Sequence, residues 1–395
     1  MAINGFKFPG VELHQEFVAP TTVADSQLGV AIIGELEGTS TAPTLSLGVV
    51  TSLDDIKTNL GEIIIPEATV DEQTVPAHVN KMALACYLAM ASAPGVPIYY
   101  VAIKEDATNV GTGDYVPAME FLERFPKIYS IVPLTTNVGK LKDCIAKAYT
   151  ESGDVESKIR RTIWCGIATG SGATTAAKAA ATKDAKEAII AAGGNGAYRT
   201  QVVWSPGAIY GGFSVPTECL PAAPAGMRAY EPTYRPISNL GYTLFSVTDT
   251  NGFSQAQLED IGSAGVWVID NNYDGTPVNK RQVTANASNN INLDEESIVA
   301  NADSVALTLC HVGENLVGCS NISPALLTAL YDTIKGIMDR YLLNLTGNVY
   351  VGPQLLNWTF DKLEQDPVQL DKVYATITCE PPKPFNRFVM TLRIV

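Results

Sequence analysis

Chemistry at a protein site needs acids, bases, thiols or glycine-lined loops at workable spacing, and this chain places few of them together. Its 395 residues contain three histidines: His14, His78 and His311. No GxSxG elbow accompanies any serine, so the sequence offers no base paired to a nucleophile. Cys310, His311 and Cys319 come nearest to a metal-ligand group, but zinc calls for four ligands at CxxC or HxxxH spacing. Cys310 closes the apolar run Val305–Leu309, where a thiol packs as a small hydrophobe. Three glycine clusters could suggest phosphate loops: Gly111-Thr112-Gly113, Gly170-Ser171-Gly172 and Gly193-Gly194-Asn195-Gly196. None has the GxxxxGK[ST] or strand–GxGxxG–helix context that aims amides and a lysine at phosphate, and Gly193–Gly196 reads as a helix stop. The carboxylate pairs Asp54-Asp55 and Glu295-Glu296 fall at expected helix starts, where they favour the macrodipole. No catalytic set, metal or cofactor is expected.

The elements that would carry such groups alternate regularly. An apolar strand is expected at 29–33, a buried helix at 77–92 and a β-rich run at 96–103. Helices at 115–125, 138–152 and 174–192 then alternate with strands at 127–134, 162–169 and 199–204. Such a chain builds an α/β fold, a largely parallel sheet flanked by helices. Residues 206–253 are rich in Pro, Gly and aromatics and read as loops and turns. A helix at 254–265 leads to a strand at 266–270, and the polar stretch 271–294 marks a boundary. Beyond it come a helix from Glu295, another from the Ser323-Pro324 cap pair, and strands at 372–380 and 386–395. This last third reads as a smaller α+β domain.

Charge narrows the partners. Against 41 acidic residues stand 27 basic ones, a net charge of −14 with no basic cluster, so nucleic-acid binding is not expected. Hydrophobic residues make up 46% and charged ones 17%, a globular composition. No run approaches the length that spans a bilayer, and the start MAINGFKFPG shows no apolar signal core. The seven scattered cysteines read as free thiols in a reducing compartment.

Both ends carry strand-like segments. Phe388, Met390, Leu392 and Ile394 alternate with Val389, Thr391 and Arg393, and Phe6, Phe8, Val11 and Leu13 lie around the Pro9-Gly10 break. A terminal strand must find a sheet for its backbone groups. It either completes its own subunit or adds to a neighbouring copy. Pro381-Pro382-Lys383-Pro384 holds the chain extended before the last segment, which favours donation to a neighbour.

Taken colinearly, these segments resemble the contractile-tail sheath proteins of phages and related contractile injection systems. Pro9-Gly10-Val11 stands where that family has an early PGV motif, and residues 84–103 are similar to its helix, glycine turn and strand. Residues 198–207 resemble its strand ending in an aromatic and a proline. Residues 216–231 look like its "VPPS…AAG…AR" segment, with Met227-Arg228-Ala229 departing from the usual Ala-Arg order. Residues 258–286 are similar to its "L…GVN…G…RT" region, with Val266-Trp267 in place of Val-Asn. The resemblance implies an N-terminal linking arm at 1–20, an outward-facing α/β region at 21–275, a tube-facing α+β domain at 276–385 and a C-terminal linking arm at 386–395. It further implies a non-enzymatic homo-oligomer of stacked hexameric rings, assembled in a host cytoplasm as part of a virion tail. Its partners would be an inner tail tube, a baseplate and a tail terminator. The polar stripe Asp332, Lys335, Asp339 and Arg340 on the helix from Pro324 would face the tube. The alternative is a soluble α/β enzyme binding a nucleotide or acyl ligand at the carboxyl ends of its strands.

Overall fold

The computed structural model describes residues 28–38, 43–70, 73–104, 115–153, 159–314, 316–345, 348 and 351–386. The chain opens with β1 (Gly29–Glu35), β2 (Leu47–Val50) and α1 (Leu53–Leu60). Four short strands follow, β3 (Ile64–Ile65), β4 (Ala68–Val70), β5 (Gln73–Val75) and β6 (His78–Val79), and then α2 (Lys81–Ser92). Alternation sets in with β7 (Ile98–Ile103), α3 (Tyr115–Leu122), β8 (Ile128–Pro133), α4 (Val138–Gly153), β9 (Thr162–Gly166), α5 (Thr175–Gly193) and β10 (Thr200–Trp204). Next come β11 (Ala208–Tyr210), β12 (Phe213–Ser214), α6 (Ala222–Tyr230), β13 (Ser246–Val247), α7 (Gln255–Ser263), β14 (Val266–Asn271) and β15 (Pro277–Asn279). The last part holds α8 (Ile291–Asp294), α9 (Glu296–Glu314), α10 (Pro324–Tyr341), β16 (Asn357–Gln365) and β17 (Val373–Glu380).

Eight strands form the main sheet in the order β15-β14-β10-β9-β8-β1-β7-β2. The six inner strands run parallel, and β15 and β2 close the two edges antiparallel. Alternate residues of each inner strand enter opposite cores. Val30, Ile32, Val132, Trp164, Val203 and Trp267 meet α2 and α6 on one face. Ala31, Ile33, Ile131, Cys165, Val202 and Trp204 meet α3, α4, α5 and α7 on the other. Burial on both faces is why these strands read as continuous apolar runs. A third core joins Val305 of α9 to Ile334, Met338 and Tyr341 of α10 and Cys379 of β17.

Three expectations need correction. The helix expected from 77 starts at Lys81, because His78–Val79 pair with Ile64–Ile65 and the Asn80 side chain caps the helix by accepting from Ala83 N. The span 206–253 contains the buried helix α6 as well as the small sheet β12-β11-β13. Its Pro224 lies in the first turn, where no amide is needed. Gly226 is the contact point with α2, where an added Cβ would sit 2.7 Å from Ala89 Cα. Finally, β17 pairs antiparallel with β16, a strand the sequence reading did not contain. The main sheet also runs past the expected boundary at 275, since β15 pairs with β14 and Ala285 N donates to Thr200 O.

Candidate functional site

The glycine clusters are explained by packing. A Cβ at Gly172 would meet Ala177 Cβ at 2.7 Å, and at Gly170 it would press into the Ala181 backbone, so this loop lies directly on α5. Gly196 faces Ile145 of α4, while Gly111 and Gly113 lie outside the described residues. In a sheet of this kind, ligands favour the crevice at the carboxyl ends where strand order reverses, here between β1 and β8. Leu134 fills that place: a Cβ on Gly34 would lie 2.8 Å from Leu134 Cδ1. Beside it, Tyr115 Oη donates to Leu134 O at 3.1 Å. A cavity of about 270 Å³ lies beyond β9 and β10, lined by hydroxyls such as Thr169, Ser205, Thr217 and Thr248 and by no ionisable side chain.

The titratable candidates also resolve individually. Cys310 is buried in α9, Cys319 is exposed, and His311 Nδ1 lies 3.3 Å from Glu314 Oε2. No group of three or more His, Cys, Asp or Glu suited to a metal occurs among the described residues, and no helix there is long and apolar enough to cross a membrane. His78 Nδ1 is 3.1 Å from Pro76 O and Nε2 is 3.3 Å from Glu37, and those contacts raise its pKa. Asp55 closes a capping box with Ser52 and accepts from Thr51 N at 2.8 Å, which lowers its pKa.

Glu295 and Glu296 do something else than the expected helix-start role. Both carboxylates are buried and serve as counter-ions. Glu296 accepts from Arg228 Nε at 2.9 Å and Nη2 at 2.7 Å. Glu295 accepts from Arg281 Nη2 at 2.7 Å and from the Asn386 amide at 2.7 Å. Burial raises the pKa of both, with the arginines opposing it. One turn and more along α9, Asp303 pairs with Arg199 and accepts from Tyr129 Oη at 2.9 Å. The sequence reading missed this set. Its partners lie 68 and 104 residues apart, beyond any local pattern.

The expected linking residues Phe6, Phe8, Pro9, Gly10, Val11 and Leu13, and Phe388, Val389, Met390, Leu392 and Ile394, lie outside the described residues. Their sequence neighbours Leu28 and Asn386 are described. The polar stripe lies on α10 opposite the buried Ile334, Met338 and Tyr341. Asp332, Lys335 and Arg340 are exposed there; Asp339 is partly covered, pairs with Lys335 and accepts from Trp358 Nε1 at 3.0 Å. The hairpin β16–β17 packs Phe360 against Tyr331 of α10 and turns Thr359, Asp361 and Thr378 outward. Among the described residues no third strand joins it, so both outer edges carry unpaired backbone groups.

No protein-family model matches the chain, and no curated protein matches it in sequence. Solved structures do match. A chain of the contracted helical sheath of the anti-feeding prophage superposes with a TM-score of 0.63 and 11% identity, covering 98% of this chain and 99% of that one. The fold is that of contractile sheath proteins. A chain from the anti-feeding prophage baseplate gives 0.65 with 13% identity over 100% and 99% of the two chains. A chain from the contracted PVC sheath complex, an extracellular contractile injection system, gives 0.62 with 10% identity over 99% and 98%. The sheath fold therefore spans the molecule from end to end, including α10 and the hairpin.

Proposed function

We propose that this chain is the structural subunit of a contractile tail sheath and has no catalytic role. Copies would stack as six-membered rings into a helix around an inner tail tube, with a baseplate at one end and a terminator at the other. The observation that carries this reading is the end-to-end match to a chain from a contracted helical sheath, with no appended unit in either chain.

The physical device follows from the hairpin. A strand added to an open edge gains main-chain hydrogen bonds whatever its side chains, and alternate side chains then set specificity. The N-terminal arm (Phe6, Phe8, Val11, Leu13) and the C-terminal arm (Phe388, Met390, Leu392, Ile394) of adjoining copies would extend β16–β17 on its two edges. Bodies linked by extended strands can rotate as rigid units while the linkage persists. The stripe Asp332, Lys335, Asp339 and Arg340 would face the tube. Its mixed, solvated charges give a weak contact that permits sliding. Contraction needs no nucleotide, since energy stored at assembly suffices: about 1.4 kcal/mol per subunit already biases a two-state equilibrium tenfold.

Deleting residues from Phe388 onward tests the reading. The truncated chain should stay folded, with an unchanged circular dichroism spectrum, yet form no tubes under negative-stain microscopy. Tubes of ordinary length from it would remove the arm from the mechanism. Failure of the intact chain to polymerise would refute the sheath assignment.

A further inference from the structure

The described residues next to the two arms meet the same helix. Leu28, directly before β1, packs in a separate buried cluster with Tyr129 of β8 and Ala300 of α9. At the other end, Asn386 donates to Glu295, the residue immediately before α9. Those two contact points are five positions apart in sequence, on the first turns of one helix. That part of α9 is the most firmly held stretch in the molecule. Every residue from Glu296 to Ala306 is buried. Glu296 is fixed to Arg228 of α6, and Asp303 to Arg199 at the start of β10 and to Tyr129. Arg228 also donates to the carbonyls of Pro232 and Arg235 at 3.1 Å, so its guanidinium is locked from several sides. Separating such a pair exposes or strands a buried charge, which is far more costly than parting an exposed one.

We propose that the N-terminal half of α9 is a common anchor for both linking arms. Resting on the sheath reading, this means that pull arriving through one arm passes to the other through α9 and its arginine partners. The route bypasses the hairpin and the outer helices. It lets each subunit act as a stiff link, because both attachment points are fixed to one element and cannot drift apart when the body rotates. Asn386 and Glu295 hold the C-terminal root, Leu28 and Ala300 the N-terminal root, and Arg228 and Arg199 hold the anchor to the body.

The test uses the full-length chain. Phe385 is exposed and beside the clamp, so chymotryptic cleavage after it, followed by mass spectrometry, reports the C-terminal root. Hydrogen exchange at Gly29 and Val30 reports the N-terminal root. Asn386→Ala should raise cleavage after Phe385 at least threefold, with exchange at Gly29 and melting temperature unchanged. Unchanged cleavage would overturn the clamp. Arg228→Met, which loosens the anchor itself, should raise both signals together while exchange in 357–380 stays as it was. A rise at one root alone would overturn the shared anchor. Preassembled tubes of the Asn386→Ala protein should dissociate at lower urea than those of the unaltered chain, and equal midpoints would overturn the force route. If the unaltered chain forms no tubes, the sheath reading fails, yet cleavage and exchange in the monomer still decide whether the two roots share α9.

Discussion

Replacing Gly226 by alanine adds one methyl group where two helices touch backbone to backbone. The new Cβ would lie 2.7 Å from Ala89 Cα and 2.8 Å from Ala89 C, and closer still to its carbonyl oxygen. Ordinary contact begins near 3.4 Å, so α2 and α6 must part by about 0.7 Å. A gap of that size forfeits roughly a quarter to a half of each dispersion contact along the seam. Overpacking by a methyl costs about 1–3 kcal/mol, and here the opposing atoms are backbone and cannot swing aside. Moving α6 also disturbs the Arg228–Glu296 bonds of 2.7–3.0 Å two residues away. Against this stands a gain of about 1 kcal/mol in helix propensity. The net expectation is a loss of about 2–4 kcal/mol, which for a chain this long lowers the melting temperature by about 4–10 °C. Gly336 is the control: it lies in the interior of α10 with nothing within 4 Å of its added Cβ, so Gly336→Ala should raise stability slightly. Thermal melts of the isolated chain followed by circular dichroism give both values. A Gly226→Ala protein melting at or above the unaltered chain would refute the backbone-contact argument.

Other outcomes follow from named groups. Glu151 accepts from Arg161 Nη1 at 2.9 Å, yet burial pushes its carboxyl up to about 7 from 4.5, with Arg161 and Lys147 opposing. A raised folded-state value means the fold prefers the protonated form, so this contribution is complete below pH 4.5 and is lost as pH rises to about 7. Denaturant titrations should show the stability of the unaltered chain, relative to Glu151→Gln, falling across that window by at most about 3 kcal/mol; a flat difference contradicts the assignment. Lys335→Glu reverses one charge of the exposed stripe and breaks only a solvated pair. It should leave the melting curve unmoved while weakening co-sedimentation with the tube protein, and unchanged co-sedimentation would take Lys335 out of the tube contact.

Sequence reasoning succeeded where a residue's fate depends on near neighbours. The buried strands at 29–35, 128–133 and 200–204 are apolar on both faces, and Ser323-Pro324 announces α10 through its own cap chemistry. It failed where a distant partner decides. Pro224 and Gly226 look like breakers until Ala89 is brought against them. In β16, Trp358 and Phe360 alternate with polar residues, but the register shift before Lys362 interrupts the pattern. The counter-ions of α9 come from α6, from the start of β10 and from the segment after β15, so no spacing within α9 could reveal them. The stripe on α10 was legible as a face, whereas its partial cover by Trp358 was not.

The borders of the main sheet are stubby. On one flank β15 has three residues, begins with a proline lacking an amide, and is covered by the 239–242 segment, where Tyr242 N donates to Pro277 O. On the other flank β2 offers only four residues, one of them a glycine under the ring of Tyr100. Short, blocked borders make poor templates for accidental fusion, whereas β16 and β17 offer nine and eight residues. Hundreds of such bodies can therefore be crowded flank to flank without merging into a continuous ribbon. Misassembled pairings would be brief and easily undone, and growth would be steered toward the one junction long enough to last.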